Sequence, residues 1–178
     1  MKGGIFVQKN VDVHLVRKAK KGNSQAFIEL CTAYQDILYN SAYKILLNDE
    51  DVADCMQETE IRAWTKITKL KSEEAFNSWI FQIMTNISKD ILKRKTANAE
   101  SEERYMSDKV EQHNAFDIEQ ELNGLEEIYK IPLILYYYAG FSIKEISEQL
   151  KISVNTVKTR LARGKLKLKI LLEESNDG

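Results

Sequence analysis

FSIKEISEQLKISVNTVKTRLARGKLKLK, residues 141–169, is the stretch that decides the fold of this chain. Two short helical patterns meet there at a turn, and the second runs into a dense basic segment. Ser142 followed by Glu145 is a capping box, in which hydroxyl and carboxylate reciprocally satisfy backbone amides at the helix start. Ile143, Ile146 and Leu150 form the stripe behind it. Leu150, Lys151 and Ile152 make the turn. Ser153 is a good N-cap for the next helix, where Val154, Val157 and Leu161 recur at i, i+3 and i+7 and leave Asn155, Thr156, Lys158, Thr159, Arg160 and Arg163 facing outward. From Lys158 to Lys169, Lys165 included, there are six basic residues and no acid. This is the layout of a helix-turn-helix, whose second helix enters the DNA major groove. An ordinary solvated helix face mixes signs to gain i,i+4 pairs; here one sign is concentrated in a chain of net charge −1, which favours DNA binding.

The near-neutral total conceals that asymmetry. Residues 100–121 carry eight acids against two bases, and residues 144–169 carry eight bases against two acids. The acidic run reads as a solvated linker, residues 96–115, between a first domain of residues 1–95 and a second of residues 116–178. At 178 residues, 43% hydrophobic and 30% charged, the composition is that of a soluble globular protein. Cys31 and Cys55 form no CxxC and sit at helical spacing among apolar residues, as buried thiols in a reducing compartment do. His14 and His113 stand apart, so no metal site is expected, and no cofactor motif occurs. Residues 1–7 are too short for a signal peptide, and residues 131–141, interrupted by Pro132 and Gly140, fall short of the roughly 20 residues a membrane span needs. A cytoplasmic protein is expected.

One proline, seven glycines and an absence of period-two alternation point to an all-α fold. Helices are expected over residues 12–20, from Ser24 to about Leu47 after the Gly22-Asn23-Ser24 break, from the Asn48 cap to about Ile67, and over residues 76–95. In the second of these, Phe27, Leu30, Cys31, Tyr34, Leu38 and Ile45 face inward. Beyond the linker, residues 116–129 are expected to form one helix with Ile118, Leu122, Leu125 and Ile128 inside. Pro132 is expected in the first turn of another, where its missing amide costs nothing, with Gly140 at its end.

Two further surfaces carry chemistry. On the third helix Val52, Met56, Thr59, Ala63 and Ile67 share the core sector, while Asp51, Asp54, Glu58 and Arg62 fall in another. The helix dipole accounts for acids in the first turn but not for Gln57, Glu58 and Arg62 further on, so a protein-docking face is the alternative. On the fourth helix Phe76, Ile80, Ile83, Ile87 and Ile91 form the buried stripe, and Gln82, Thr85, Asn86, Lys89 and Lys93 share the opposite face. Lys93, Arg94 and Lys95 suit any helix C-terminus. A row of amides, hydroxyls and cations beside Trp79 also offers contacts for base edges, phosphates and stacking.

With these motifs together, the chain resembles the extracytoplasmic-function group of bacterial sigma-70-type factors, which consist of sigma region two, a linker and sigma region four. Residues 48–64 resemble region 2.2, Phe76 to Ile80 through Asn86, Asp90 and Arg94 resemble regions 2.3 and 2.4, and residues 142–165 resemble region 4.2. The resemblance implies a noncatalytic subunit that docks on the beta-prime clamp coiled coil and beta flap of core RNA polymerase. It implies reading of the minus-ten element by the fourth helix, with a base taken up by the 68–76 loop and Asn86 the best candidate reader. It implies reading of the minus-thirty-five element by the second helix of the helix-turn-helix. An anti-sigma factor, often membrane-bound, is the implied inhibitor. Lys151 stands where many helix-turn-helix turns have glycine, and Ala162 leaves the recognition helix without a bulky side chain at that point. Two other readings remain open at this point. A helix-turn-helix regulator acting without polymerase would need a receiver domain with alternating strands, and a metal-dependent helical enzyme using Asp51, Asp54 and Glu58 would need ligands on a second helix.

Overall fold

The computed structural model describes residues 11–101, 121–122 and 124–176; those residues hold helices and no strand. The helices are α1 (Val13–Lys20), α2 (Ser24–Leu46), α3 (Asp49–Lys66), α4 (Phe76–Ser101), α5 (Glu127–Tyr137), α6 (Ile143–Leu150) and α7 (Val154–Asn176), with 3₁₀ turns at Ile67–Lys69 and Glu73–Ala75 between α3 and α4. Local chemistry starts each of the first three. The Asp12 carboxylate accepts from the His14 and Leu15 amides at 3.0 and 3.1 Å, and the Asn23 and Asn48 side chains each accept an amide at 2.9 Å. Gly22 takes a left-handed φ of 88° between α1 and α2, a conformation only glycine adopts without strain.

α1 packs on α2, α2 on α3 and α3 on α4; α5 and α6 pack on α7. The two groups meet where α5 lies on α2 and α6 on α4. One buried cluster runs through both, from Leu30, Ile45, Val52, Phe76 and Phe81 to Ile134, Leu135, Phe141, Ile146 and Val157. A satellite of Leu122, Leu125 and Leu133 sits under α7. Gly164 marks how closely α5 and α7 approach, since a Cβ there would meet Leu133 at 3.0 Å and Tyr129 at 3.1 Å.

Several sequence expectations need correction. The helix expected over residues 116–129 is broken: a turn closes with the Leu125 amide on the Leu122 carbonyl, Glu126 leaves helical geometry with a ψ of 142°, and α5 begins at Glu127. Gly124, the weakest helix former short of proline, sits at the break. Leu122 and Leu125 are buried as expected, Ile128 is exposed, and Ile118 lies outside the described residues. Pro132 is inside α5 rather than in its first turn. Its ring removes the donor for the carbonyl of Ile128, which lies on the exposed side where water can replace it. α4 continues past Lys95 to Ser101, because residues 96–101 contain no breaker and include good helix formers. Of the expected linker, residues 102–115 lie outside the described residues. Cys31 is half-buried and Cys55 fully buried; both are free thiols.

Candidate nucleic-acid and partner interfaces

α3 presents its charged residues as a face. Val52, Cys55, Thr59 and Ala63 are buried against α2 and α4, and Asp54, Gln57 and Glu60 are exposed. Glu58 and Arg62, both half-exposed, pair at 2.5 Å, so each holds the other in place one turn apart. Asp51 is the exception. Lys95 from the C-terminal half of α4 pairs with its carboxylate, which is the more covered partner. The open part of the face is therefore Asp54, Gln57 and Glu58.

α4 carries the second surface, and only part of it is open. Asn86, Lys93 and Arg94 are exposed; Gln82, Lys89 and Trp79 are half-buried. Thr85, expected outside, is 2% exposed, and Phe81, Met84 and Ser88 are also buried, so α4 is packed over more than the single stripe expected. Two helices share the covering: Cys55 of α3 lies 3.7 Å from the Met84 carbonyl and 3.4 Å from the Ser88 hydroxyl, and α6 packs on α4 as well. Phe81 meets Phe141 edge-on at 5.0 Å, and the Gln149 side-chain amide donates to the Ser78 carbonyl at 3.2 Å. Between α4, the preceding loop and α6 lies a cleft of about 310 Å³, lined by Lys69, Lys71, Ser72, Trp79 and Gln82 on one wall and Glu145, Glu148 and Gln149 on the other. Trp79 is held at the mouth of the core by Phe76, with ring centres 5.9 Å apart. Burial pushes the Lys89 ammonium pKa down, Glu127 pulls it back up, and Arg160 from α7 adds to the decrease.

The recognition helix is built as the sequence indicates. The Ser142 and Glu145 capping box is complete, and Lys151 takes a left-handed φ of 54° that closes the turn. Ser153 accepts the Thr156 amide at 3.0 Å. Asn155, Lys158, Thr159, Arg163 and Lys165 are exposed, whereas Thr156 and Arg160 are half-buried. The Thr159 hydroxyl donates to the Asn155 carbonyl at 2.9 Å, leaving its lone pairs free to accept. Lys167, by contrast, pairs with Glu126 at 2.9 Å and lies over the Tyr129 ring.

Comparison with known proteins agrees with this layout. Residues 30–98 match the family described as sigma-70 region 2, and residues 115–168 match sigma-70, region 4. The ECF RNA polymerase sigma factor SigW of Bacillus subtilis is 30% identical, across 89% of this chain and 95% of that protein. The chain belongs to the extracytoplasmic-function sigma factors. RNA polymerase sigma factor SigV of the same organism is 26% identical, over 88% of this chain and 98% of SigV. Among solved structures, CnrH in complex with the cytosolic domain of CnrY shares the fold with a TM-score of 0.71 at 24% identity, covering 92% of this chain and 98% of that one. RpoE in complex with the anti-sigma factor NepR from Bartonella quintana gives a TM-score of 0.70 at 21% identity, covering 86% and 98%.

In this sigma factor α3 and most of α4 fall within the region 2 match, and α5, α6 and most of α7 within the region 4 match. The cleft residues Gln149 and Glu148 were not singled out from the sequence. One signal was available for the packing that surrounds them. Residues 76–88 contain no charged side chain, which is more than a helix with one open face needs.

Proposed function

We propose that this sigma factor is a noncatalytic subunit that docks on core RNA polymerase through α3, with Asp54, Gln57 and Glu58 making the contact and Asp51 and Arg62 flanking it. The minus-ten strand is read by α4 and the loop before it. Asn86, Lys93 and Arg94 are accessible at once, and Trp79, Gln82 and Lys89 line the more enclosed part. The minus-thirty-five duplex is read by α7: Asn155, Thr159 and Arg163 approach bases, and Lys158, Arg160 and Lys165 hold phosphate, with Thr156 at the margin. Polymerase supplies the chemistry. The observation that carries this reading is the separation of the three faces on one helical fold, an acidic one on α3 and two amide-and-cation ones on α4 and α7. Promoter DNA and core polymerase are the partners, a cytoplasmic setting follows from them, and an anti-sigma factor fits as a further partner because RpoE was solved with one. Among the described residues no group of three or more carboxylates, cysteines and histidines is placed to hold a metal ion.

The test is the docking face. Asp54→Lys with Glu58→Lys should abolish binding to core polymerase in a pull-down, with unfolding free energy shifted by about 0.5 kcal/mol or less because both positions are on the surface. Undiminished core binding by the folded double variant removes the assignment.

A further inference from the structure

We propose that the basic end of α1 and the connection between α3 and α4 form one phosphate track, which holds the backbone of the displaced DNA strand where it leaves the minus-ten reader. The proposal rests on the minus-ten reading of α4 and its loop given above. Residues 13–28 contain Arg17, Lys18, Lys20 and Lys21 and no acid, and residues 61–72 contain Arg62, Lys66, Lys69 and Lys71 and no acid. The fold sets these two runs side by side, since α1 packs on both 3₁₀ turns of the connection. The helix dipole favours cations in the last turn of α1, but it accounts for neither Lys69 nor Lys71, which lie beyond the end of α3.

The positive charge of this surface is left for a ligand. Arg17, Lys18, Lys21, Lys66, Lys69 and Lys71 are all exposed. Glu73, the acid next to them, is taken by Lys20 at 2.9 Å, a bridge that also ties α1 to the connection, and the Glu74 carboxylate accepts from the Ser72 hydroxyl. Like charges gathered from two elements repel one another, and a polyanion relieves that repulsion. No large hydrophobic side chain is exposed among residues 17–21 or 66–72, so the face suits a charged backbone rather than an apolar partner. Its place in the fold says which backbone. Lys69 and Lys71 also line the cleft with Trp79 and Gln82, which makes the basic surface continuous with the strand reader. Cations leading away from an aromatic are the arrangement that single strands use, phosphates on the cations and bases on the ring.

The track is tested on the holoenzyme with a labelled pool of random-sequence single strands of about 16 nucleotides. Anisotropy over a series of salt concentrations gives the salt slope of binding, and sequencing the bound strands gives the base preference. Lys18→Gln with Lys21→Gln, both exposed and outside the bridge to Glu73, should reduce the slope by about 1.4, from about 0.7 for each of two phosphate contacts on a single strand, with base preference unchanged. Lys18→Arg with Lys21→Arg should keep the full slope, because the track needs the charge. Lys144→Gln with Lys169→Gln makes the same change of charge on exposed residues of α6 and α7 and should leave the slope as it is. Equal slopes for the α1 pair and this control pair overturn the track. Weaker binding of the α1 pair to core polymerase, or to phosphatidylglycerol vesicles, at an unchanged slope makes the face a protein or lipid contact and overturns it too. Asn86→Ala should do the reverse, altering base preference at a constant slope. If it alters neither while the α1 pair lowers the slope, the minus-ten reading falls and the phosphate surface stands.

Discussion

α4 and α7 carry the same kind of outward row, amides, hydroxyls and cations at helical spacing, yet α7 exposes Asn155, Lys158, Thr159 and Arg163 while α4 has Thr85 buried and Gln82 and Lys89 half-covered. The difference lies in what each helix packs against. α7 stands at the edge of its group, with α5 and α6 on its inner side, so one sector is buried and the rest is free. α4 packs on three helices, α2, α3 and α6. The polar row of α7 is therefore open in the free chain, and that of α4 is largely covered.

The sharpest way to break this comparison is through packing. Phe81 on α4 is fully buried against Phe141, and Leu166 on α7 is 60% exposed. Phe81→Ala should cost roughly 3–5 kcal/mol in denaturant unfolding. Leu166→Ala should stay within about 0.5 kcal/mol. Comparable losses would mean that α4 is no more central than α7.

Next in size are effects on promoter recognition by α7. Lys158 and Arg163 are about 140° apart around the axis, five residues at 100° each, so both cannot face the groove floor. Arg163→Ala should change which upstream base is preferred, costing about 1–3 kcal/mol on the favoured sequence if its guanidinium makes a bidentate guanine contact. Lys158→Ala should weaken all sequences alike and lower the salt dependence of binding by about one phosphate contact. A promoter-variant panel at two salt concentrations separates the roles, and a uniform loss for Arg163→Ala would exchange them.

How far the sequence reached follows the same division. The recognition helix was legible in detail because its determinants are local: the Ser142 and Glu145 box, the Ser153 cap and the turn at Lys151 each act within a few residues. So were the caps of α1, α2 and α3. The covering of α4 was not legible, because Phe141 and Gln149 reach it from far along the chain, and no periodicity within α4 names the partner of its second buried side. Pro132 was misplaced for a related reason. Its preference for a first turn is a local rule, and α5 overrides it by burying Ile131, Leu133, Ile134 and Leu135 while leaving Ile128 in water. The pairing of Asp51 with Lys95 likewise joins two surfaces that sequence treats as independent.

A further effect, confined to alkaline pH, concerns two weakly acidic side chains of the first helical group. Burial, with Glu60 adding to it, pushes the Cys31 thiol pKa up to about 12, and burial pushes the Tyr34 hydroxyl up to about 12. Both are held neutral in the folded chain above their ordinary values. Their contribution to stability is full below about pH 9 and is lost as pH rises toward 12. The thermal midpoint should decline in that window, and Cys31 should be alkylated at pH 8.5 far more slowly in the native chain than in urea. Equal alkylation rates would place the thiol in solvent.

The most direct test of the central claim is transcription in vitro with purified core polymerase, the intact chain and a genomic fragment library, sequencing the 5′ ends of the transcripts. The account predicts discrete start sites that depend on the added chain, each preceded by two shared elements near minus ten and minus thirty-five. The absence of chain-dependent transcripts, with specific duplex binding by the chain alone, would contradict it.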